Sequence, residues 1–493
     1  MKNLKKVLSL ILVVTLMMGL AGCIGSKKTN PGNSQELDWS VLDDNNLPLM
    51  NTTDDITLTY VHFDSPVLIQ EMAKAFETKY PNINVELVEV TSADANTTLQ
   101  TMIANGQVPD CFMFTDCDFA LQNDLLYDMT RLWESDTETE NLVTTMKEAK
   151  IGYYGTDMKW ATPMKWFPGI IYIDRAVMEK LNIDMPSVNW TWSEMIQIIK
   201  DATRKVDDKQ YYGLAAFNRL DSYYGIAASQ DIIGEFGFDG TKFDLSHWAV
   251  GEQEFADLKL GGYVAPDRQT IAMEKWLGDF DAWAGASGQV AIMTEAYWTY
   301  LNLWGDPEYS EPLGLDWVPY PIPAVEEVDG VAHSISTMDM GGICASTKHP
   351  REAYELLKFM GWGIEGWETR LALYNDETLV TAAGAALIRD FVPAPLTLDE
   401  KIWTEYKKLY YNGVDDEYWD AYFSECIEPI PYGWMSIPGY WNYCVDYFNT
   451  IGIHTLVDTG QAKAQEYVKD ATDKANEFYA QAMKDYFNID INN

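Results

Sequence analysis

The sequence predicts an α/β protein with two lobes, and three observations support this fold class. Segments with the period of a strand alternate with segments with the period of a helix along most of the chain. The connections between successive strands are long enough for helical crossovers, which is typical of a parallel sheet. The chain has 493 residues, which is more than one hydrophobic core usually organises, so two lobes or domains are expected.

Residues 1–22 are predicted to be a lipoprotein signal peptide. Three lysines precede an apolar run at residues 7–20, which is shorter than the roughly 20 residues that cross a bilayer as a helix. The segment "LAGC" that ends at Cys23 resembles the bacterial lipobox, in which cleavage leaves an acylated N-terminal cysteine. We therefore predict that Cys23 carries palmitate and further acyl chains on the outer face of the membrane of a Gram-positive bacterium. An ordinary signal peptide followed by a chance cysteine is the alternative.

A polar segment, residues 23–55, follows the predicted cleavage site. It is rich in Asn, Asp and Thr and has no sustained hydrophobic period, which is typical of a flexible tether. No later stretch of the sequence is apolar for long enough to span a membrane, so the rest of the chain is predicted to be soluble.

The chain after the tether begins with the pattern strand–helix–strand–helix–strand. The strands are predicted at residues 56–62, 85–90 and 111–114, the first from its alternation and the third as a fully buried run. Apolar residues at helical spacing mark the first helix, which ends before Pro81, and Asn105-Gly106 ends the second. These spacings predict right-handed crossovers and a parallel sheet.

Similar alternation recurs in the rest of the sequence. Strands are predicted at residues 169–173 and 290–294, and Thr191 or Ser193 is placed to cap an amphipathic helix. Pro350 precedes another helix, and a long helix is predicted from residue 462 to residue 486.

The composition excludes some classes of partner. The chain carries 75 acidic and 35 basic residues, a formal charge of −40, so nucleic acid phosphates and anionic lipid headgroups would repel it. The 18 tryptophans and 29 tyrosines are many for this length.

Five cysteines follow the lipobox, and an odd count leaves at least one unpaired. Disulfide bonds Cys111–Cys117 and Cys426–Cys444 are the alternatives. Buried free thiols, including Cys344, are the favoured prediction.

The sequence lacks the usual motifs of catalysis. Its five histidines are far apart and form no HExxH, so we predict neither a metal site nor a cofactor. Residues 361–366 match GxGxxG, but they follow a predicted helix instead of a strand, so they do not present a dinucleotide site. Asp116 and Asp118, after the third strand, are the best candidates for a carboxylate pair, so an extracellular glycoside hydrolase or lyase is an alternative hypothesis.

Five segments follow one another in a characteristic order: "AFETKYPNINVELVEV", "ANGQVPDCFMF", "MKWFPGIIYIDRAVMEKLNID", "SGQVAIMTEAYW" and "MGGICASTKHPREAYELLKFM". Together they resemble the sugar-binding group, family 1, of the extracellular solute-binding proteins of ABC importers, typified by maltose-binding protein. The matches run from residue 56 to about residue 360. Ile173 stands where the family usually has Asn, and residues 363–440 match poorly.

The resemblance implies a two-lobed periplasmic-binding-protein-like fold of type II, with the ligand cleft between the lobes. The first lobe would comprise residues 56–162 and 317–362, and the second lobe residues 163–316 and 363–493. The chain would cross near Thr162-Pro163, return near residues 319–323 and cross again near Gly361. Sites between lobes and beyond the carboxyl ends of parallel strands are also what fold physics favours, and closure would be a hinge motion.

The resemblance also implies a set of ligand-binding residues at loop tips and aromatic positions. Trp298 in "TEAYW" resembles the family's stacking tryptophan, and Trp441 in "IPGYWNYC" resembles the one that faces it. The full predicted set is Phe63, Asp64, Asp116, Asp118, Trp166, Phe167, Tyr223, Tyr224, Trp298, Gly341 and Trp441. For most of the single aromatic residues, packing in the core is an equally good interpretation.

The function implied is binding without enzymatic activity. The protein would capture a sugar, as an oligosaccharide, in the interlobe cleft and deliver it to the transmembrane subunits of an ABC permease, acting as a monomer. A receptor for a polyol-like or peptide ligand, the hydrolase and an adhesive carbohydrate-binding surface lipoprotein are the alternatives.

Overall fold

The computed structural model describes residues 37–114, 117–143, 147, 156–216, 219–228, 236–276, 283–296, 298–325, 335–426, 430–431 and 437–491. The predicted signal peptide, Cys23 and Asp116 lie outside these ranges. No helix in the described ranges is both long and apolar enough to cross a membrane.

The strands of the described residues are numbered in chain order. They are β1 (Ile56–His62), β2 (Ile83–Glu89), β3 (Cys111–Phe114), β4 (Thr162–Asp174), β5 (Lys205–Val206), β6 (Lys209–Gln210), β7 (Tyr212–Ala216), β8 (Val290–Ala296), β9 (Trp317–Tyr320), β10 (Ile335–Ile343) and β11 (Ile430–Pro431).

The helices of the same ranges are numbered likewise. They are α1 (Pro66–Lys79), α2 (Ala95–Ala104), α3 (Cys117–Gln122), α4 (Thr130–Ser135), α5 (Arg175–Leu181), α6 (Trp192–Ala202), α7 (Leu220–Ala227), α8 (Ser246–Leu260), α9 (Arg268–Met273), α10 (Pro307–Leu313), α11 (Pro350–Met360), α12 (Ile364–Tyr374), α13 (Glu400–Lys407), α14 (Asp416–Cys426), α15 (Tyr440–Asn442), α16 (Ile453–Asp458) and α17 (Val468–Phe487). Short 3₁₀ helices lie at Thr137–Asn141, Ala284–Ala286, Leu387–Arg389 and Ala464–Glu466, and π-helical turns at Tyr300–Trp304 and Tyr443–Asn449.

A nine-stranded mixed sheet has the order β2-β1-β3-β10-β4-β8-β7, with β11 beside β10 and β9 beside β4. β1 pairs in parallel with both β2 and β3, as the sequence predicts. β4 joins the two halves of the sheet: up to Pro168 it pairs with β10, and from Gly169 it pairs with β8. β4 is thus a crossing strand, and its change of partner lies later in the chain than the predicted crossing at Thr162-Pro163.

Local chemistry explains why the early elements form where they do. Pro66 occupies the first turn of α1, where the missing N–H has no intrahelical partner to lose. Met72 and Phe76 are buried one turn apart on the face of α1 that meets the sheet, and the helix stops before Pro81. The predicted helix and strand order of this region is confirmed.

The cap of α6 is a second local signal that the sequence carries. The Thr191 hydroxyl accepts a hydrogen bond from the Glu194 N–H, and the Glu194 carboxylate accepts one from the Thr191 N–H. This reciprocal capping box satisfies two donors at the start of the helix. Of the two predicted caps, Thr191 is therefore the one that the structure uses.

Two hydrophobic clusters form the core of the described residues. The smaller cluster includes Ile171, Leu214 and Ile292 and lies in the second half of the sheet, beneath α6 and α7. The larger cluster fills the first half of the sheet, includes Tyr172 and Met293 of the second half, and continues into the C-terminal helices. The smaller cluster therefore forms only part of the core around the second half of the sheet.

The second predicted lobe boundary, at residue 363, lies just before α12. α12 packs against α1 and α11 of the first half of the sheet, and Lys79 at the end of α1 pairs with Glu365 of α12.

The GxGxxG segment follows α11, as predicted, so its glycines cap a helix. The last long helix, α17, begins later than the predicted residue 462, because a 3₁₀ turn and Tyr467 precede it.

The cysteines follow the favoured prediction where the structure describes them. Cys111, Cys117 and Cys344 are buried, and none of them forms a disulfide bond. The alternative of a Cys111–Cys117 bridge is therefore wrong. The side chains of Cys426 and Cys444 lie outside the described part of the structure.

The N-terminal arm, residues 39–51, is packed against the first half of the sheet instead of hanging free. Leu47 is fully buried. Arg351 of α11 donates from Nε to the Pro48 carbonyl at 2.8 Å and pairs through Nη2 with Asp43 Oδ2, also at 2.8 Å. The predicted tether, which extends to residue 55, is thus too long. The arm is polar in sequence, but its one buried leucine and its contacts with Arg351 hold it against the first half of the sheet.

We expect Leu47→Ala to lower the free energy of unfolding by about 2–4 kcal/mol, because it leaves a cavity under the arm. Urea denaturation measures the loss, and limited proteolysis should show faster cleavage within the arm. Leu49→Ala is the matched control, since Leu49 is 56% exposed, and it should change stability by less than about 0.5 kcal/mol. Equal effects of the two variants would show that the arm is not docked.

Candidate functional site

The candidate site lies at one edge of the sheet, where β1 and β3 end and β4 crosses between the halves. Phe63 and Asp64 directly follow β1, and β3 runs parallel beside it. The carboxyl ends of parallel strands meet at the same edge, which is where ligands bind in α/β proteins. β10 places Asp339 directly opposite Lys165 of β4 at this edge.

Four buried charged side chains form a cluster at this edge, which we name the charge cluster: Asp64, Lys165, Asp339 and Arg370. Lys165 Nζ lies 3.1 Å from Asp339 Oδ2 and 3.6 Å from Asp64 Oδ1. Arg370 Nη2 lies 3.6 Å from Asp64 Oδ2 and donates at 2.8 Å to the Met360 carbonyl. Two acids and two bases compensate one another, which is the condition under which charges are tolerated inside a protein.

The pKa values in the charge cluster follow from this compensation. Burial alone would raise the pKa of Asp64, but Lys165 and Arg370 hold it below the ordinary value. Burial would likewise lower the pKa of Lys165, but Asp64 and Asp339 raise it above the ordinary value. Asp64 and Lys165 are therefore both charged at neutral pH, and they present a fixed field at the edge of the sheet.

Aromatic rings cover the charge cluster on the side of β4 that carries Lys165. The Lys165 ammonium faces the rings of Phe63 at 5.3 Å and Phe167 at 5.7 Å. Phe167 meets Trp298 edge to face, with the ring centres 4.9 Å apart, and Trp298 meets Phe391 at 5.4 Å. Phe391 is 56% exposed. We name these four partly exposed rings the aromatic surface; it runs from the end of β1 to the segment after β8.

A second pair of predicted residues comes together around Gly439. The Gly439 N–H donates to Asp118 Oδ1 at 2.6 Å, and Trp441, 42% exposed, lies just beyond in α15. Gly439 has a φ of +80°, and a side chain there would collide with the Phe478 carbonyl of α17. Asp118 thus ties α3 to the C-terminal helices. Asp116, its predicted partner in a carboxylate pair, lies outside the described residues.

Trp166 and Gly341 lie on the other face of the crossing strands. Side chains alternate along a strand, so Lys165 and Phe167 share one face of β4 while Trp166 points to the opposite one. Trp166 is fully buried, and its Nε1 donates to the Ala394 carbonyl at 2.6 Å. A side chain on Gly341 would meet Met164 at 2.8 Å, so this glycine serves close packing. We therefore correct both predicted ligand contacts to core positions.

Tyr223 and Tyr224 also lie in the core. Both belong to α7 and to the smaller hydrophobic cluster, with Tyr223 0% and Tyr224 9% exposed. Tyr224 packs edge to face on Trp192 of α6, with ring centres 5.1 Å apart. Their predicted contact with a ligand is a second correction, because a helix buried on this face cannot offer either ring to the aromatic surface.

Sequence reasoning missed several residues that the structure brings to the site: Lys165, Asp339, Arg370 and Phe391. Lys165 carries the one usable signal, since it stands among apolar residues in "PMKWF", just before the predicted strand, and a buried lysine needs a partner. The others come from segments far apart in the chain, and no local pattern joins them to Asp64.

One group of acids and a histidine in the described ranges has the spacing of metal ligands. Asp221, Glu252 and His454 offer ligand atoms within 4.8 Å of one another. Arg219, however, already donates to Glu252 at 2.6 Å and to Asp458 at 3.0 Å. The guanidinium supplies the positive charge that a cation would bring, so the group is an ion-pair network and gives no support for a metal.

The sequence model of the family described as bacterial extracellular solute-binding protein matches residues 64–361. The chain belongs to this family. The match begins at Asp64 and ends at Gly361, so it includes Asp64, Lys165 and Asp339 of the charge cluster and stops before Arg370. No curated protein matches the sequence.

Solved structures from several bacteria have a fold similar to that of this chain, and these include the following three. The chain is similar to the ABC substrate-binding protein Lmo0181 from Listeria monocytogenes in complex with cycloalternan (17% identity, TM-score 0.59, 86% of this chain and 99% of that one). It is also similar to the sugar-binding protein MalE from Xanthomonas citri (15%, 0.62, 86% and 98%). The third is the GacH receptor of Streptomyces glaucescens (15%, 0.57, 88% and 99%). The α/β fold is therefore that of the two-lobed type II binding proteins, as predicted.

Proposed function

We propose that this protein is a lipid-anchored receptor that captures an oligosaccharide between its lobes and delivers it to an ABC permease. The observation that carries the proposal is the aromatic surface beside the charge cluster. A sugar ring has an apolar C–H face that packs on aromatic rings, while its hydroxyl groups seek fixed polar partners. The edge of the sheet at β1, β4 and β10 offers both.

The solved relatives support a carbohydrate as the ligand. Lmo0181 is described in complex with cycloalternan, and GacH in complex with acarbose and an acarbose homologue. The formal charge of −40 also favours a neutral ligand over a multiply anionic one. These relatives share fewer than one residue in five with the chain, so the length and linkage of its sugar follow from its own side chains.

The predicted lipobox at Cys23 supports the anchor. A receptor without a confining compartment needs an attachment that keeps it near its permease, and a multiply acylated cysteine gives stable membrane binding. The tether would then end before Leu37, because Leu37 and Trp39 pack against the larger hydrophobic cluster and the Arg131 guanidinium lies 3.9 Å from the Trp39 ring.

We expect Trp298→Ala to weaken the binding of oligosaccharides by about tenfold or more, because it removes the ring between Phe167 and Phe391. Loss of a central aromatic contact typically costs about 2 kcal/mol of binding free energy. Isothermal titration calorimetry with the sugars that the wild type binds measures the change.

Trp39→Ala is the control for removing a tryptophan, since Trp39 is partly buried in the arm and packs on Arg131, away from the aromatic surface. This variant should keep the wild-type affinity. An unchanged affinity of Trp298→Ala would refute the site. Equal losses in the two variants would point to a general loss of structure instead.

A further inference from the structure

A cavity of about 690 Å³ opens in the second half of the sheet. Its wall includes Ala216 at the end of β7 and Glu295 near the end of β8, and these two strands are parallel neighbours. The cavity therefore lies at the carboxyl ends of parallel strands, where α/β proteins hold their ligands. Its volume is in the range of small-molecule pockets, about 300–1,000 Å³.

Glu295 is the unusual side chain of this wall. It is only 6% exposed. Its Oε1 accepts a hydrogen bond from the Thr299 hydroxyl at 3.1 Å, whereas its Oε2 is buried without a hydrogen-bond partner. Burial raises the pKa of Glu295 to about 7. A buried carboxyl oxygen without a partner is costly to keep, so a fold that retains one at a cavity is expected to use it.

Other charged groups at the same wall already have partners. Asp267 accepts the Thr270 N–H at the start of α9, and Lys259 pairs with Asp458 at 2.8 Å. Asp267 is exposed to solvent, so Glu295 is the buried acid of this wall whose second oxygen has no hydrogen-bond partner. Thr299, which donates to the other oxygen of Glu295, is the next residue in the chain after Trp298 of the aromatic surface.

The rest of the wall suits a ring with an apolar face. Ala215 lies opposite Met293 of β8, and its small side chain leaves room above the sheet. Trp283 is half-buried, and one face of its indole stacks on Trp304 with the ring planes 11° apart. A ring lying in this cavity would therefore meet small methyl groups and part of an indole, with a single carboxyl group to fix its orientation.

We propose that this cavity is a subsite for one sugar unit of the ligand, and that Glu295 selects a unit that directs a hydrogen-bond donor at its carboxyl group. The inference rests on the proposed function, since it assumes that the ligand is a carbohydrate. The donor can be a hydroxyl or an amino group, because both place a hydrogen on a heavy atom within reach of a carboxylate.

Calorimetric titration of the full mature protein at pH 8 tests the subsite, with maltotetraose, cellotetraose, xylotetraose and chitotetraose as probes. Glu295→Gln keeps the shape of the side chain and removes its charge. We expect it to weaken the best-bound probe by about tenfold or more, since a hydrogen bond to a charged group is replaced by one to a neutral group. The melting temperature should not fall, because a buried carboxyl group becomes a neutral amide.

Asp174→Asn is the matched control. Asp174 is a buried acid at the far end of the adjacent strand β4, burial raises its pKa to about 7, and its Oδ2 also lacks a hydrogen-bond partner. Asn can keep the hydrogen bond that Asp174 Oδ1 accepts from the Ala176 N–H. We expect this variant to bind the same probe within twofold of the wild type.

The outcomes separate the inference from the function on which it rests. Wild-type affinity of Glu295→Gln overturns the subsite and leaves the receptor standing. Equal losses in Glu295→Gln and Asp174→Asn also overturn it, because they reveal a general effect of buried acids. Failure of the wild type to bind any probe counts against the proposed function itself, and the subsite falls with it.

Discussion

Replacing Lys165 by methionine should lower the free energy of unfolding by about 3–5 kcal/mol, although the two side chains are similar in length. The substitution takes one base away from two buried acids, whose side chains are 6% and 12% exposed. Arg370 still pairs with Asp64, but the partner of Asp339 at 3.1 Å is lost. A buried charge without a partner is among the most destabilising changes that a core can receive.

Urea denaturation at neutral pH measures this loss, and a second substitution identifies its cause. Adding Asp339→Asn to Lys165→Met removes the uncompensated charge and should restore a large part of the stability. Lys74→Met is the control, because Lys74 and Glu71 form an exposed ion pair that contributes at most about 1 kcal/mol. A loss below that level in Lys165→Met would mean that the cluster is not closed to water.

Trp166→Ala should cost about 3–5 kcal/mol of unfolding free energy, because a fully buried tryptophan leaves a large cavity between the crossing strand and the segment at Ala394. The carbonyl of Ala394 also loses its indole donor. Trp166→Phe, which keeps a ring but not the hydrogen bond, should be much milder. Thermal and urea unfolding, together with sugar titration, distinguish a core role from a ligand contact.

Trp441→Ala is the matched control for this prediction, since Trp441 is 42% exposed and its removal should change stability by less than about 1 kcal/mol. A stable Trp166→Ala variant that loses only its sugar affinity would restore the ligand contact predicted from the sequence. Such a result would also imply that β4 rotates about its axis in the ligand-bound form and brings Trp166 to the ligand.

The sequence is a good guide to the first five elements, because their signals are local. Alternation predicts β1, and Pro81 and Asn105-Gly106 end the first two helices where the structure ends them or within a residue. β4 was predicted only at residues 169–173, but it begins at Thr162. Its first half contains Pro163, Lys165 and Pro168 and forms a strand only because β10 pairs with it.

The site was predictable where a strand ends and poorly predictable elsewhere. Phe63, Asp64, Phe167 and Trp298 lie together, as the resemblance implies, although their contact with a ligand stays a prediction. The adjacent pair Trp166 and Phe167 could not both face a ligand, and the alternation of a strand already says so. The charge cluster joins residues 64, 165, 339 and 370, and such long-range pairs leave no local pattern in one sequence.

We propose that this chain binds an oligosaccharide and leaves it intact. Calorimetric titration of the mature protein with a panel of oligosaccharides, followed by chromatography of the sugar after prolonged incubation, tests both parts of this proposal. We predict saturable binding of at least one sugar, with one molecule per chain and no shorter product. Binding of no sugar in the panel, or the appearance of cleaved products, would contradict the claim.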